Sequence, residues 1–228
     1  MTGPVTAPVT GAQVQPIRVL VVDDDPFVFS AMELIFSTVD DIRIVGAVSD
    51  GDEAVAAVQR HFPDVVLLDV RMARLDGIAA TKALCALPNP PRVLVMTTFD
   101  MDDVVMRAID AGAAGFMLKT AGPEIIAGVR NVHAGAGVLS PQSVPQVFAQ
   151  VGGNGAAQAG ARAAVDALSD RERDVVRLVG EGLSNQQIGA QLYVGEATVK
   201  THLASAQRKL GVEGRVQVAV LATKAGLV

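Results

Sequence analysis

Tryptophan is absent from these 228 residues, while tyrosine occurs once (Tyr193), cysteine once (Cys85) and histidine three times. A single cysteine excludes an intrachain disulfide and a cysteine-based metal cluster. That usage fits a reducing compartment, and Cys85, within Thr81-Lys82-Ala83-Leu84-Cys85-Ala86-Leu87, reads as a small buried hydrophobe. No apolar run approaches the roughly 18 residues that a membrane-spanning helix needs. The first 15 residues have neither a basic start nor an apolar core, so they do not read as a signal peptide. Their Pro, Thr, Gly and Gln content predicts a disordered tail. A cytoplasmic chain without a membrane partner is the expectation.

Charge is unevenly shared. Up to Asp166 there are 11 Lys and Arg against 18 Asp and Glu; after it there are 8 against 6. An acidic first part and a mildly basic last part point to nucleic acid on one side only.

What the chain does have is a large apolar content, 50% of all residues, arranged in short runs. Four of these runs end in a polar signal. Asp23-Asp24-Asp25 follows Arg18 to Val22, Asp69 follows Asp64 to Leu68, Thr97-Thr98 follows Arg92 to Met96, and Lys119 follows Gly115 to Leu118. Runs this apolar read as parallel strands covered on both faces by helices. Ligand sites in such sheets lie outside the carboxyl ends of the strands. Asp23, Asp24, Asp69, Thr97 and Lys119 are therefore expected to meet in one crevice.

Strand and helix alternate from Ile17 to about Gly137, giving five repeats with right-handed crossovers. Asp25-Pro26 opens the first helix, with Asp as cap and Pro at the first helical position. A strand over Ile42 to Val48 leads to a helix over Asp52 to Arg60, and further helices are expected over Ile78 to Leu87, Met101 to Ala111 and Pro123 to His133. Low charge and Gly clusters around Gly152-Gly153-Asn154-Gly155 mark a flexible linker, with a short helix near Pro145 to Val151. Beyond Ala167 the pattern is purely helical. Ser169 and Glu172 have capping-box spacing, and three more helices follow over Asn185 to Leu192, Glu196 to Leu210 and Arg215 to Ala225. The expected division is a tail over 1–15, an α/β domain over 16–137, a linker over 138–166 and a helical domain over 167–228.

Clustered carboxylates without nearby His or Cys favour a hard cation, Mg²⁺ or Mn²⁺. A carboxylate beside such an ion can accept a phosphoryl group as an acyl phosphate, and Lys119 and Thr97 could meet the developing charge. In the helical half, Asn185 to Leu192 and Glu196 to Leu210 are joined by a tight turn containing Gly195. That arrangement reads as helix-turn-helix, with the second helix entering the major groove.

On these residues the first half resembles a two-component receiver domain over Ile17 to His133. The motifs are Val21-Val22-Asp23-Asp24, Leu67-Leu68-Asp69-Val70-Arg71-Met72, Asp76-Gly77, Met96-Thr97-Thr98 and Leu118-Lys119. Leu168 to Val228 resembles a LuxR-type DNA-binding domain through Gly182-Leu183-Ser184-Asn185, Ala197-Thr198-Val199-Lys200-Thr201-His202, Lys209-Leu210-Gly211-Val212 and Arg215-Val216-Gln217. Together the halves look like a NarL/FixJ-family response regulator. The fold implied is a flavodoxin-like doubly wound (βα)5 parallel sheet followed by a small all-α four-helix helix-turn-helix domain.

The resemblance implies that Asp69 is the phosphoacceptor. Asp23, Asp24, Asp69 and the Arg71 backbone carbonyl would hold Mg²⁺, with Thr97 and Lys119 on the phosphoryl group. Phe116 would be the aromatic switch that turns inward when Thr97 moves. For DNA it implies Lys200 and Thr201 at base edges, Ser184, Asn185 and Thr198 at phosphates, and basic support from Arg208 and Lys209. The partners implied are a sensor histidine kinase, double-stranded promoter half-sites and, once phosphorylated, a second copy of the chain through Val216 to Ala222. The chain would be no enzyme beyond its own phosphorylation and dephosphorylation.

Departures from the pattern carry expectations too. Ala73 stands where receivers usually carry Pro, predicting a less rigid loop after Asp69. Phe29 takes a helix position that is commonly Arg; it reads as a solvent-adjacent hydrophobe, and the sharper alternative is that it enlarges an apolar docking patch, while bulky Phe99 would slow hydrolysis. Gly195 replaces a Ser cap, and Ala204-Ser205 replace basic residues, so DNA affinity per subunit should be modest. An aspartyl-phosphate phosphatase would place its nucleophile on the first strand in an Asp-x-Asp pattern, which this chain lacks. A phosphorylation-independent helix-turn-helix factor using the receiver for dimerisation is the alternative.

Overall fold

The structure is a computed structural model, and it describes residues 15–98, 102–119, 122–139 and 155–228. The expected helix near Pro145 to Val151, Phe99 and nearly all of the expected tail lie outside the described residues. Six parallel strands form one sheet in the order β2-β1-β3-β4-β5-β6. They are β1 (Ile17–Val22), β2 (Ile42–Val48), β3 (Val65–Asp69), β4 (Arg92–Thr97), β5 (Gly115–Leu118) and β6 (Val138–Leu139). Helices α1 (Pro26–Phe36), α2 (Gly51–His61), α3 (Gly77–Cys85), α4 (Asp102–Asp110) and α5 (Glu124–His133) follow β1 to β5 in turn.

Alternation along the strands builds two cores. Leu20, Val22, Val66, Leu68, Val93 and Val95 point to one face, where Ala54, Ala80, Leu84 and Val105 cover them. Val19, Val21, Val65, Leu67, Leu94 and Met96 point to the other, beneath Met32, Phe36, Ile125 and Val129. Each fully buried Val or Leu contributes about 1.5 to 3 kcal/mol relative to exposure. Burial on both faces is why these strands read as continuous apolar runs.

Local signals fix where the helices begin. Asp25 Oδ1 accepts the Phe27 amide at 2.9 Å, and Asp76 Oδ1 accepts that of Ala79 at 2.7 Å. These caps lie three and seven residues beyond the ends of β1 and β3 and start the helices on the side of the sheet's carboxyl edge.

The second domain contains α6 (Gly155–Asp166), α7 (Asp170–Gly180), α8 (Asn185–Leu192), α9 (Glu196–Leu210) and α10 (Arg215–Ala225). Its core gathers Val175, Leu178, Ile188, Val199, Leu203, Ala206 and Val218. The linker expected over 138–166 is corrected at both ends. Val138–Leu139 pairs with Gly115 and Phe116 as an edge strand, and Gly155–Asp166 is helix. Ala161 and Val165 are buried in the helical core, so packing overrides the low-complexity composition.

Candidate functional site

The sheet register aligns the strand ends. Val22 lies beside Leu68, Asp69 beside Met96 and Thr97 beside Leu118. Residues far apart in sequence therefore open onto one crevice. Asp23 and Asp69 are buried, Asp24 is exposed, and one ligand atom of each lies within 4.8 Å of the others. Lys119 Nζ stands 2.7 Å from Asp23 Oδ2 and 3.1 Å from Asp69 Oδ1. Thr97 is buried at the adjacent strand end.

Burial pushes the Asp69 carboxyl above the ordinary carboxylate range; Lys119 offsets part of this and Asp23 adds to it. For Lys119, burial alone would lower the value, but the two carboxylates outweigh it and hold the ammonium charged. The donor set fits a hard cation. Asp23 Oδ1 accepts the Asp25 amide at 3.0 Å, whereas Asp23 Oδ2 is buried and has an ion-pair partner but no well-angled hydrogen bond. Three converging carboxylate side chains with one such oxygen suit a hard divalent cation, whose preferred ligands are oxygens.

Phe116 is fully buried in the same cluster as Val95, Val104 and Val105. Its ring therefore lies inside the core, in the cluster that β4 and α4 supply. On α1, Phe29 packs half-buried against the core, and the exposed hydrophobes are Phe27 (80% exposed) and Leu34 (72% exposed). Phe29 keeps part of its surface exposed, while Phe27 and Leu34 supply the most exposed apolar surface of α1. Cys85 is half-buried with its thiol pushed up to about 11 by burial, and its sulfur lies 3.5 Å from the Gly112 carbonyl. It is an inert packing residue.

The helix-turn-helix distributes its polar residues between reading and architecture. Thr198, Lys200 and Thr201 are exposed on α9. Lys200 Nζ pairs with Glu196 at 2.8 Å, and the Thr201 hydroxyl donates to the Ala197 carbonyl at 3.0 Å. Ser184 caps α8 by accepting the Gln187 amide at 3.3 Å, and Gln187 returns the bond to Ser184. Two expected contacts have other employment. The Asn185 side chain is buried, and its oxygen accepts from Arg215 Nη1 at 2.7 Å. Packing of α8 against the start of α10 draws it away from any phosphate. Lys209 Nζ lies 2.7 Å from Glu172 Oε2, because α9 packs across the capping box of α7. Tyr193 is 95% exposed at φ +57° in the turn before α9.

Glu172 is the hub of that domain's polar structure. Lys209 first, then the Ser169 amide and Ser205, hold its carboxyl down at about 2. A depressed carboxyl contributes stability above its unfolded value and loses it as pH falls through the folded one. The helical domain is therefore expected to lose stability between pH 4.5 and about 2. Thermal melts should show a shallower acid slope for Glu172→Gln than for the parent; parallel slopes would disprove the assignment.

The two domains touch. Val216 joins the receiver-side core cluster, and Gln217 Nε2 donates to the Asp110 carbonyl at 3.0 Å. Between them runs an 820 Å³ cleft lined on one side by Pro90, Arg92 and Gly112, and on the other by Ala204 and Arg208 of α9. Burial and the nearby Arg92 push the Arg215 guanidinium down to about 10.

A doubly wound sheet carrying three carboxylates, a threonine and a lysine at its strand ends, joined to a helix-turn-helix, is the architecture of a receiver domain coupled to a DNA-binding domain. The comparisons agree. Residues 19–129 match the response regulator receiver domain family, and residues 166–222 match the bacterial regulatory proteins of the luxR family. The chain is 35% identical over 214 residues to the transcriptional regulatory protein LiaR of Bacillus subtilis, covering 93% of this chain and 99% of LiaR. It is also 35% identical over 204 residues to the probable transcriptional regulatory protein NarL of Mycobacterium tuberculosis, covering 89% of this chain and 92% of that one. The crystal structure of the response regulator ChrA, of a heme-sensing two-component system, matches with TM-score 0.50 and 34% identity over 93% of this chain and 99% of ChrA. The chain belongs to the NarL/FixJ family of response regulators, with a receiver domain and a LuxR-type DNA-binding domain. Among the described residues, no helix is long and apolar enough to cross a membrane.

Proposed function

We propose that this response regulator is a phosphorylation-dependent transcription factor acting in the cytoplasm. A sensor histidine kinase supplies the phosphoryl group. An Asp69 carboxylate oxygen attacks phosphorus, the P–N bond to the kinase histidine breaks, a P–O bond forms, and the histidine leaves with its electron pair. Asp23, Asp24, Asp69 and the Arg71 carbonyl would hold Mg²⁺, which neutralises phosphoryl oxygens when bound. Lys119 provides the second positive charge, and Thr97 offers a hydroxyl to the product phosphoryl group. The single observation that carries this reading is the convergence of Asp23 and Asp69 on Lys119 at 2.7 and 3.1 Å. The relatives' names, transcriptional regulatory proteins and a member of a two-component system, support it.

The domain contact supplies a route for the signal. Val216 lies in the stretch assigned to the dimer face and packs on the receiver, and Arg208 lines the interdomain cleft. Release of the receiver frees α10 for a second copy and α9 for the major groove of paired half-sites. With acetyl phosphate and Mg²⁺, intact mass spectrometry should show one phosphoryl group per chain, light scattering a doubled mass, and titration with promoter DNA tighter binding. Unchanged mass and affinity despite full phosphorylation would instead favour the constitutive factor that uses its receiver for dimerisation.

A further inference from the structure

The loop that follows Asp69 carries the Arg71 carbonyl but lacks the proline expected at Ala73, so something else must order it. Its first end is held by the sheet: the Val70 amide donates to the Met96 carbonyl at 3.3 Å, and the Gly77 amide donates back to the Val70 carbonyl at 2.8 Å. Its far end is held by Asp50, the residue that caps α2. Asp50 is only 3% exposed, and its two carboxylate oxygens accept the backbone amides of Arg74 at 2.8 Å and Leu75 at 2.9 Å. The same carboxylate accepts the Asp52 amide at 3.4 Å. A loop amide pair and a helix cap thus share one buried side chain.

Two further features close the junction. The Arg74 guanidinium reaches back over α2, with Nε 2.8 Å from Asp52 and Nη2 2.7 Å from Glu53. Gly51 lets the loop approach, since a Cβ there would stand 2.4 Å from the Leu75 carbonyl oxygen. Neither Asp50 nor Arg74 belongs to the acidic crevice. Their effect on it must pass through the short stretch between Val70 and Arg74, whose two ends are pinned and whose middle contains Arg71.

We propose that Asp50 is a positioning residue for the metal site, holding the Arg71 carbonyl where a divalent cation meets it, in place of the absent proline. This rests on the reading of the crevice as a Mg²⁺ site. Carboxylates that orient groups around a metal ligand are worth tenfold or more in metal affinity. The clamp acts at a backbone ligand, which has no side-chain torsion with which to compensate for a displaced loop.

The test is calorimetric titration of the full chain with Mg²⁺. Asp50→Ala is expected to weaken Mg²⁺ binding about tenfold. Asp50→Asn, which keeps one acceptor oxygen, should fall between it and the parent, and Arg74→Ala should lose about two- to threefold. Arg130→Ala removes a surface pair of comparable geometry, 2.7 Å to each oxygen of Asp41, and should leave Mg²⁺ affinity unchanged. Thermal melts in chelator confirm which variants are folded; if Asp50→Ala is not, Asp50→Asn and Arg74→Ala carry the test. A folded Asp50 variant with parental Mg²⁺ affinity, whatever its melting temperature, overturns the clamp alone. A parent chain that binds no Mg²⁺ overturns the reading of the crevice and the clamp with it.

Discussion

Asp69→Asn accepts no phosphoryl group from acetyl phosphate at saturating Mg²⁺, and its mass and DNA affinity stay at their unphosphorylated values. The amide nitrogen that replaces one carboxylate oxygen is no nucleophile toward phosphorus, and the remaining oxygen carries no charge to bring to a cation. Asp23 cannot substitute for it. Its Oδ1 is committed to the Asp25 amide, and its Oδ2 faces Lys119 at 2.7 Å. The same variant should be as stable as the parent or more so. Asp69 is buried beside a second carboxylate, burial and Asp23 both penalise its charge, and Lys119 retains Asp23 as partner when that charge is removed. Mass spectrometry reads the first outcome and a urea titration the second. Phosphoryl incorporation in Asp69→Asn equal to the parent's would remove Asp69 from its assigned role.

Gly77→Ala is expected to cost about 3 kcal/mol or to prevent folding, the upper end of the overpacking range. A methyl at this position would stand 1.9 Å from the Asp69 carbonyl oxygen, 2.8 Å from its carbon and 2.9 Å from Val70 Cα. Every atom met is backbone, so no side-chain rotation relieves the clash. What yields is the end of β3, the segment that aims Asp69 into the crevice. A folded fraction should therefore also lose phosphoryl acceptance, which separates this variant from one that merely destabilises. Gly160→Ala is the control, because a methyl there meets nothing within 4 Å and lies within α6. It should gain up to about 1 kcal/mol through helix propensity. Equal urea midpoints for Gly77→Ala and the parent would contradict the contact that joins α3 to the phosphoacceptor strand.

The helix-turn-helix shows how far a linear motif reaches. Lys200, Thr201 and Thr198 are exposed, as their helical spacing against buried Val199 and Leu203 requires. Asn185 sits in an equally polar motif, yet its side chain is spent on Arg215, 30 positions further along. Lys209 is paired with Glu172, 37 positions earlier. No local pattern distinguishes an exposed helix lysine from one that a neighbouring helix offers a carboxylate. Phe116 repeats the lesson, since an aromatic in an apolar strand does not show where its ring rests, and the surrounding core places it.

Strand ends, helix starts and the two-domain order are legible in the residues without any tertiary partner. Apolar runs, caps such as Asp25, Asp76 and Ser169, and Gly and Pro breaks act within a few residues and need no partner. A helix after each strand makes the connections crossovers and the sheet parallel, and a parallel sheet sends Asp23, Asp69, Thr97 and Lys119 to one edge. Tertiary structure alone decided which polar side chains remain available. It made 155–166 a packed helix, joined Val138–Leu139 to the sheet, set Val216 against the receiver and turned Asp50 from a helix cap into a clamp on the loop after Asp69. The reason is range: propensity and capping are properties of neighbours in the chain, whereas a hydrogen-bond or charge partner is supplied by whichever distant element packing brings within about 3 Å.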